Sequence, residues 1–380
     1  MLQRARKHMD NIVLVAILGI ALVVIVPRFA PALFGSVTGG GWKTNFEKHS
    51  VPMEEIISGG VPRDGIPPID NPTFESIADA SNWLQSQSPV IALEINGDAR
   101  AYPLAILTRH EIANDEVGGV PVAVTFCPLC NSSIVFDRRL DGEILRFGVS
   151  GNLRHSDLIM WDDKTESWWQ QFTGEGIVGE HTGRLLDIMP SLVVGFGEFV
   201  ERYPEGQVLQ GGGIFGGYGS NPYVGYDSDP NPFLFRGQPD ARLFPTARVL
   251  AGVIAGEPMA YPFDSLRDQP IVNDTVGGKD VVVFWQPGAT SALDGSSIDD
   301  SRDIGMAALY DRQLDGQVLT FNLDGDGVIR DAETGSAWNI FGQALEGELA
   351  GSQLEQETAF PHFWFAWAAF QPETTIYGLN

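Results

Sequence analysis

One segment of this chain occurs twice. Val90 to Cys130 aligns without a gap on Val249 to Ala289. Ala101-Tyr102-Pro103 matches Ala260-Tyr261-Pro262, and Asn114-Asp115 matches Asn273-Asp274. The likeness resumes at Phe136-Asp137-Arg138 against Tyr310-Asp311-Arg312, and reaches Ser167-Trp168-Trp169 against Ser336-Ala337-Trp338. A repeat constrains the fold, because positions kept in both copies serve structure common to both. Positions kept in one copy are free for chemistry. The only two cysteines of the chain, Cys127 and Cys130, become Gln286 and Ala289 in the second copy; His110 becomes Gln269, and Glu111 becomes Pro270.

The texture of both copies is that of short strands. Val90 to Ile95, the turn Asn96-Gly97-Asp98, and Arg100 to Tyr102 read as a hairpin. Val120 to Phe126, Ser133 to Asp137 and Ile144 to Val149 read as further strands, with Val281 to Trp285, Ala308 to Asp311 and Val318 to Leu323 as counterparts. Helical spacing predicts a helix over Phe74 to Gln85. Short helices are expected near Gly195 to Arg202 and Phe363 to Phe370. The fold class expected is mainly β with a few short helices, as two related β-rich domains from an internal duplication. The expected division is a lead-in at 35–89, a first repeat domain at 90–210, a connecting segment at 211–248, and a second repeat domain at 249–380. The connecting segment is rich in Gly, Pro and Tyr, and its aromatic residues predict that it packs over a domain face.

The net charge of −25 speaks against nucleic acid, whose phosphates require Lys and Arg. Before the repeats, Arg4, Arg6 and Lys7 precede the uncharged apolar run Ile12 to Val26. Residues 1–34 therefore read as a signal peptide or an N-terminal membrane anchor, which puts the globular part outside the cytoplasmic membrane.

The sequence Cys127-Pro128-Leu129-Cys130 admits a redox disulfide, a metal knuckle or an inert structural disulfide. The β-type run after it, Ile134-Val135-Phe136, places it in a loop between strands. If the pair holds a metal, it needs further ligands. His110 is lost together with the cysteines; His155 and Met160 follow on a stretch particular to the first copy. Thiolates, imidazole and thioether are soft donors, which suit copper, with zinc as the alternative. Glu111 and Asp157 are candidates to orient such ligands. Antiparallel counting about the Gly118-Gly119 turn brings His110 level with Cys127. In the second copy, Asp324, Asp326 and Glu333 have the spacing of a calcium loop, but the flanking helices are missing, so a plain hairpin turn is the better reading.

Tyr102-Pro103, His110 to Asp115, Thr125-Phe126-Cys127-Pro128-Leu129-Cys130, Phe147 to Gly151 and Ser156 to Met160 together resemble the bacterial and archaeal DUF3179 family over roughly residues 55–380. The resemblance implies that the family's Cys-Pro-x-Cys and His-Glu fall on Cys127, Cys130, His110 and Glu111. It supplies no reaction. The leading expectation is an extracytoplasmic copper-binding protein acting in metal handling or electron transfer. Its partner would be a metal ion or a redox protein. The alternatives are a thiol-disulfide oxidoreductase using Cys127 and Cys130, and a non-enzymatic binding or scaffold protein with a structural disulfide. Whether the chain is an enzyme stays open at this point.

Overall fold

A computed structural model describes Val37, residues 41–211 and residues 218–379. The apolar run Ile12 to Val26 lies outside the described residues. Among them, no helix is long and apolar enough to cross a membrane.

Strands carry most of the regular structure. The first half contains β1 (Pro89–Ile95), β2 (Asp98–Pro103), α1 (Leu104–His110), β3 (Ile112–Val117), β4 (Val120–Cys127) and β5 (Ser132–Asp137). It continues with β6 (Phe147–Arg154), β7 (Asp157–Asp162), β8 (Trp168–Gln170), β9 (Leu192–Gly195), α2 (Phe196–Arg202) and β10 (Gln207–Leu209). The second half runs through β11 (Arg248–Ile254), β12 (Glu257–Pro262), α3 (Phe263–Asp268), β13 (Ile271–Val276), β14 (Lys279–Gln286) and β15 (Met306–Asp311). Then come β16 (Phe321–Leu323), β17 (Ile329–Asp331), β18 (Ala337–Trp338), β19 (Ala359–Phe363), α4 (Trp364–Phe370) and β20 (Thr375–Ile376).

Each half builds three sheets in the same order. In the first, β9 lies antiparallel to β1, β1 to β2, and β10 parallel to β2. In the second, β19, β11, β12 and β20 repeat those relations. The ladders β3-β4-β5 and β13-β14-β15 correspond, as do β6-β7-β8 and β16-β17-β18. The turns are set by residues that accept positive φ: Asn96-Gly97 and Gly118-Gly119 in the first half, Ala255-Gly256 and Gly277-Gly278 in the second. Gly118 is obligatory, since a Cβ there would approach the Ile95 carbonyl oxygen to 2.0 Å.

Buried polar contacts recur at matched positions. The Tyr102 hydroxyl donates to Asp115, and the Tyr261 hydroxyl to Asp274. Trp169 Nε1 donates to Asp162 at 2.9 Å, and Trp338 Nε1 to Asp331 at 2.9 Å. Asn114 exchanges hydrogen bonds with the backbone of Phe147, as Asn273 does with Phe321. Trp168 and Trp169 are both fully buried although adjacent on one strand, so both faces of β8 are covered.

The hydrophobic cores cross the boundary between the halves. One joins Cys127, Cys130 and Trp169 to Phe363 and Trp364; another joins Val90 and Phe199 to Phe284 and Trp338. The connecting segment packs over them. Asp227 is fully buried, pairing with Arg248 at 2.9 Å and accepting from the Ser291 hydroxyl at 2.6 Å.

One expectation needs correction, and two helices are additional. Phe74 to Gln85 is not one helix: Phe74–Ser76 is a strand against β10, and the helix covers only Ile77–Ala80. The free edge of the β10 strand takes Phe74 to Ser76 into its sheet. Helices α1 and α3 carry no sequence expectation, because seven and six residues are too few to establish a helical period.

The matched Trp–Asp contacts make a direct test. Asp162 also accepts from the amides of Lys164 and Thr165, and Asp331 from that of Thr334. Removing either carboxylate orphans a buried indole N–H and loop amides. Asp162→Ala and Asp331→Ala should therefore each cost about 3 kcal/mol in denaturant unfolding, with the same sign in both halves.

Candidate functional site

Cys127 is the last residue of β4 and pairs across the ladder with Ser132, so Pro128 to Asn131 form the loop of a β-hairpin. Asn131 closes it with a left-handed φ of 49°. The loop carbonyls are claimed from elsewhere in the molecule. The amide of Phe363 donates to Cys130 O at 2.8 Å, and the Tyr226 hydroxyl to Leu129 O at 3.0 Å. The second half and the connecting segment thus clamp the loop. Both cysteines are buried, and both are free thiols.

The third member arrives on a neighbouring hairpin. Chain reversal between β6 and β7 uses His155 and Ser156, with φ of 54° and 65°. Two consecutive non-glycine residues in this region cost roughly 1–3 kcal/mol each. What holds them is packing: Ser156 is fully buried, its hydroxyl donates to Phe233 O at 2.6 Å, and its carbonyl lies 3.8 Å from Cys127 Sγ. The next residue, Asp157, is thereby carried to the cysteines. A carboxylate oxygen of Asp157 and the two sulfurs all lie within 4.8 Å of one another. Asp157 Oδ2 accepts from Gln170 Nε2 at 2.6 Å and from the Phe172 amide at 2.9 Å. Asp157 Oδ1 is buried without a hydrogen-bond partner.

Glu111 completes the neighbourhood. It ends α1 in the left-handed conformation, φ 59°, and its carbonyl accepts from the Phe126 amide at 2.8 Å. Burial pushes its carboxyl up to about 8, with the charge of Asp157 adding to the shift. Burial likewise pushes Asp157 up to about 7, against hydrogen bonds from Gln170, Phe172 and Cys127 that pull it down. The Cys127 thiol is raised by burial, and that of Cys130 well above its ordinary value. Among the described residues, neither carboxyl forms an ion pair with Lys or Arg.

Beside this cluster lies a pocket of about 500 Å³. Glu111, Leu129 and Leu158 line it on the cluster side, and Tyr223, Tyr226 and Phe233 from the connecting segment line the other.

The expected ligands do not all converge. His110 stands apart: its Nδ1 donates to Pro67 O and its Nε2 accepts from the Tyr218 hydroxyl, each at 2.7 Å. The antiparallel counting holds as far as Ile112 opposite Thr125. Extended by two residues it would set His110 opposite Cys127. Helix α1 and the left-handed Glu111 break the strand first, so His110 leaves with the helix. His155 faces away, its ring edge-on to Phe370 at 5.3 Å and its Nε2 3.4 Å from Glu55. Met160 is buried in the core three positions beyond Asp157, hence on the opposite face of β7. Asp157, expected only to orient ligands, is instead the residue that joins the cysteines. Asp324 accepts from the amides of Asp326 and Val328 and from Arg330 Nε, the pattern of a closed hairpin turn.

The buried acids give a pH test. Their folded values lie above the ordinary carboxyl range. The stability they contribute is therefore complete below about pH 4 and lost as the pH rises through about 7 to 8. The melting temperature of the reduced protein should fall across that window. Glu111→Gln should flatten the fall; an unchanged profile would contradict the assignment.

No curated protein and no solved structure matches the chain. One family does, over residues 63–374, a span that takes in the cysteine hairpin, Glu111, Asp157 and most of both halves. The chain belongs to the family described as "Protein of unknown function (DUF3179)".

Proposed function

We propose that the chain is a thiol-disulfide redox protein whose centre is Cys127 and Cys130, with Asp157 as its proton acceptor and Glu111 as a protonated carboxyl beside it. The observation that carries this reading is the pair of buried carboxyl groups beside two free thiols, with no ion pair to neutralise them. With both thiols and Glu111 neutral, Asp157, at about 7, is the one group of the four poised to ionise near neutral pH. As four anions they would incur a large desolvation penalty. Oxidation joins the two sulfurs and releases two electrons and two protons. The unpartnered Asp157 Oδ1 is a ready acceptor for the proton of Cys127, the less strongly raised thiol.

A second reading rests on the mutual 4.8 Å approach of the two sulfurs and the Asp157 carboxylate. Two thiolates and one carboxylate suit a zinc-like ion better than the copper centre expected from the sequence, since the imidazoles and the thioether are not in the cluster. The redox reading also fits export past the cytoplasmic membrane, where dithiols are oxidised. We further infer that the two halves descend from one duplicated unit, of which the second keeps the scaffold alone.

The test is thiol counting with mass spectrometry. Reduced protein should show two titratable thiols when unfolded and, after mild oxidation, none, with the mass lowered by two hydrogens. Cys127→Ser and Cys130→Ser should each abolish that monomeric disulfide. Bound zinc at one per chain in the reduced protein, lost in Cys127→Ser, would favour the second reading. Asp157→Asn should slow oxidation about tenfold or more near neutral pH by removing the proton acceptor.

A further inference from the structure

Resting on the redox reading, we propose that the pocket beside the cysteines takes the oxidant, and that this oxidant is a quinone: a small, uncharged, lipophilic ring bearing carbonyl oxygens. Three observations converge on it. The volume, about 500 Å³, suits a small cofactor-sized molecule. The lining is apolar and aromatic, with Val149, Leu158, Tyr223 and Phe233 around a ring-sized space. At the mouth, Val61, Val224 and Phe233 are 37 %, 62 % and 37 % exposed, so the entrance is rimmed by large apolar side chains facing solvent. Grouped exposed apolar residues mark a binding surface.

The same pocket disfavours other oxidants. The sulfurs are 2 % and 0 % exposed and stand behind the Glu111, Leu129 and Leu158 wall of the pocket without lining it. They lie too deep for the disulfide of a folded protein to reach, whereas a small ring in the pocket is parted from them by that wall alone. Among the described lining residues there is no Lys or Arg, while Glu111 and Asp229 are present. An anionic peptide disulfide meets repulsion from a chain of net charge −25. A neutral ring with carbonyl acceptors meets none. The protonated Glu111 carboxyl on the pocket wall can donate to such a carbonyl.

The reaction balances. Two S–H bonds break and one S–S bond forms between Cys127 and Cys130. The pair loses two electrons and two protons; ionised Asp157 takes the Cys127 proton and then the Cys130 proton, handing each on to Glu111. The quinone gains the two electrons and receives both protons through Glu111, which ends protonated as it began, and leaves as hydroquinone.

The probe is duroquinone, whose fully substituted ring cannot arylate thiols. Full-length reduced protein should bleach one duroquinone per chain while losing two titratable thiols. It should do so faster than dithiothreitol at equal thiol concentration. Val224→Asp and Phe233→Asp, at exposed positions, should lower that rate about tenfold while circular dichroism and melting stay unchanged. Leu185→Asp, at an exposed apolar position outside the pocket, should leave the rate as it is. A reaction no faster than that of dithiothreitol, or rim variants as fast as the parent, overturns the quinone assignment. If a small hydrophilic disulfide still forms the Cys127–Cys130 bond in that case, the redox reading stands. If no oxidant forms that bond, both fall.

Discussion

Two carboxyl groups that have no counter-cation among the described residues are buried against two thiols, and the packing around them depends on how that burial is accommodated. A buried charge is costly, so the groups shift toward their neutral forms instead of ionising. Burial pushes Asp157 and Glu111 up, with the charge of Asp157 adding to the shift of Glu111, and the thiols beside them are pushed up as well. A site held this way stores protons near neutrality. On the redox reading proposed above, proton release from the sulfurs would be coupled to these carboxyls without an additional group.

The packing that enforces this comes from three separate parts of the chain. The hairpin loop supplies the sulfurs, and the strained His155-Ser156 turn delivers Asp157. The connecting segment covers both, through Tyr226 on Leu129 O and Phe233 O on Ser156. The second half contributes the Phe363 amide to Cys130 O. It carries no cysteine of its own, yet the loop is incomplete without it. In the half without cysteines, the backbone contact at the equivalent place persists: Pro270 O accepts from the Trp285 amide at 2.9 Å, as Glu111 O does from Phe126. The backbone contact is thus common to both halves, and the cluster of cysteines and buried carboxyls is confined to one.

The residues kept in both copies marked the fold well. Tyr102 with Asp115, Asn114 with Phe147, and Trp169 with Asp162 all make buried polar contacts that recur in the second half. Strands were legible because a two-residue alternation and glycine turns show within a few residues. The short helices α1 and α3 were not, and missing α1 had a direct consequence. Register counting alone set His110 beside Cys127, whereas one left-handed residue, Glu111, ends the helix and redirects the chain. Asp157 is legible in the sequence only as a candidate to orient the ligands. Nothing in its local sequence says that a two-residue turn will carry it to sulfurs 27 and 30 residues upstream.

What the sequence by itself determined is local: which residues are shared by the two copies, where the chain turns, and that Cys127 and Cys130, two residues apart, lie close together. Spacing suffices for these, because they depend on neighbours along the chain. What only the tertiary structure decided is the company the sulfurs keep. The choice between His110, Met160, His155 and Asp157 depends on which way strand and helix ends point once three layers of the molecule have packed. Whether a carboxyl is ionised depends on how completely water is excluded around it. Both are properties of long-range contacts, and no local pattern of residues encodes them.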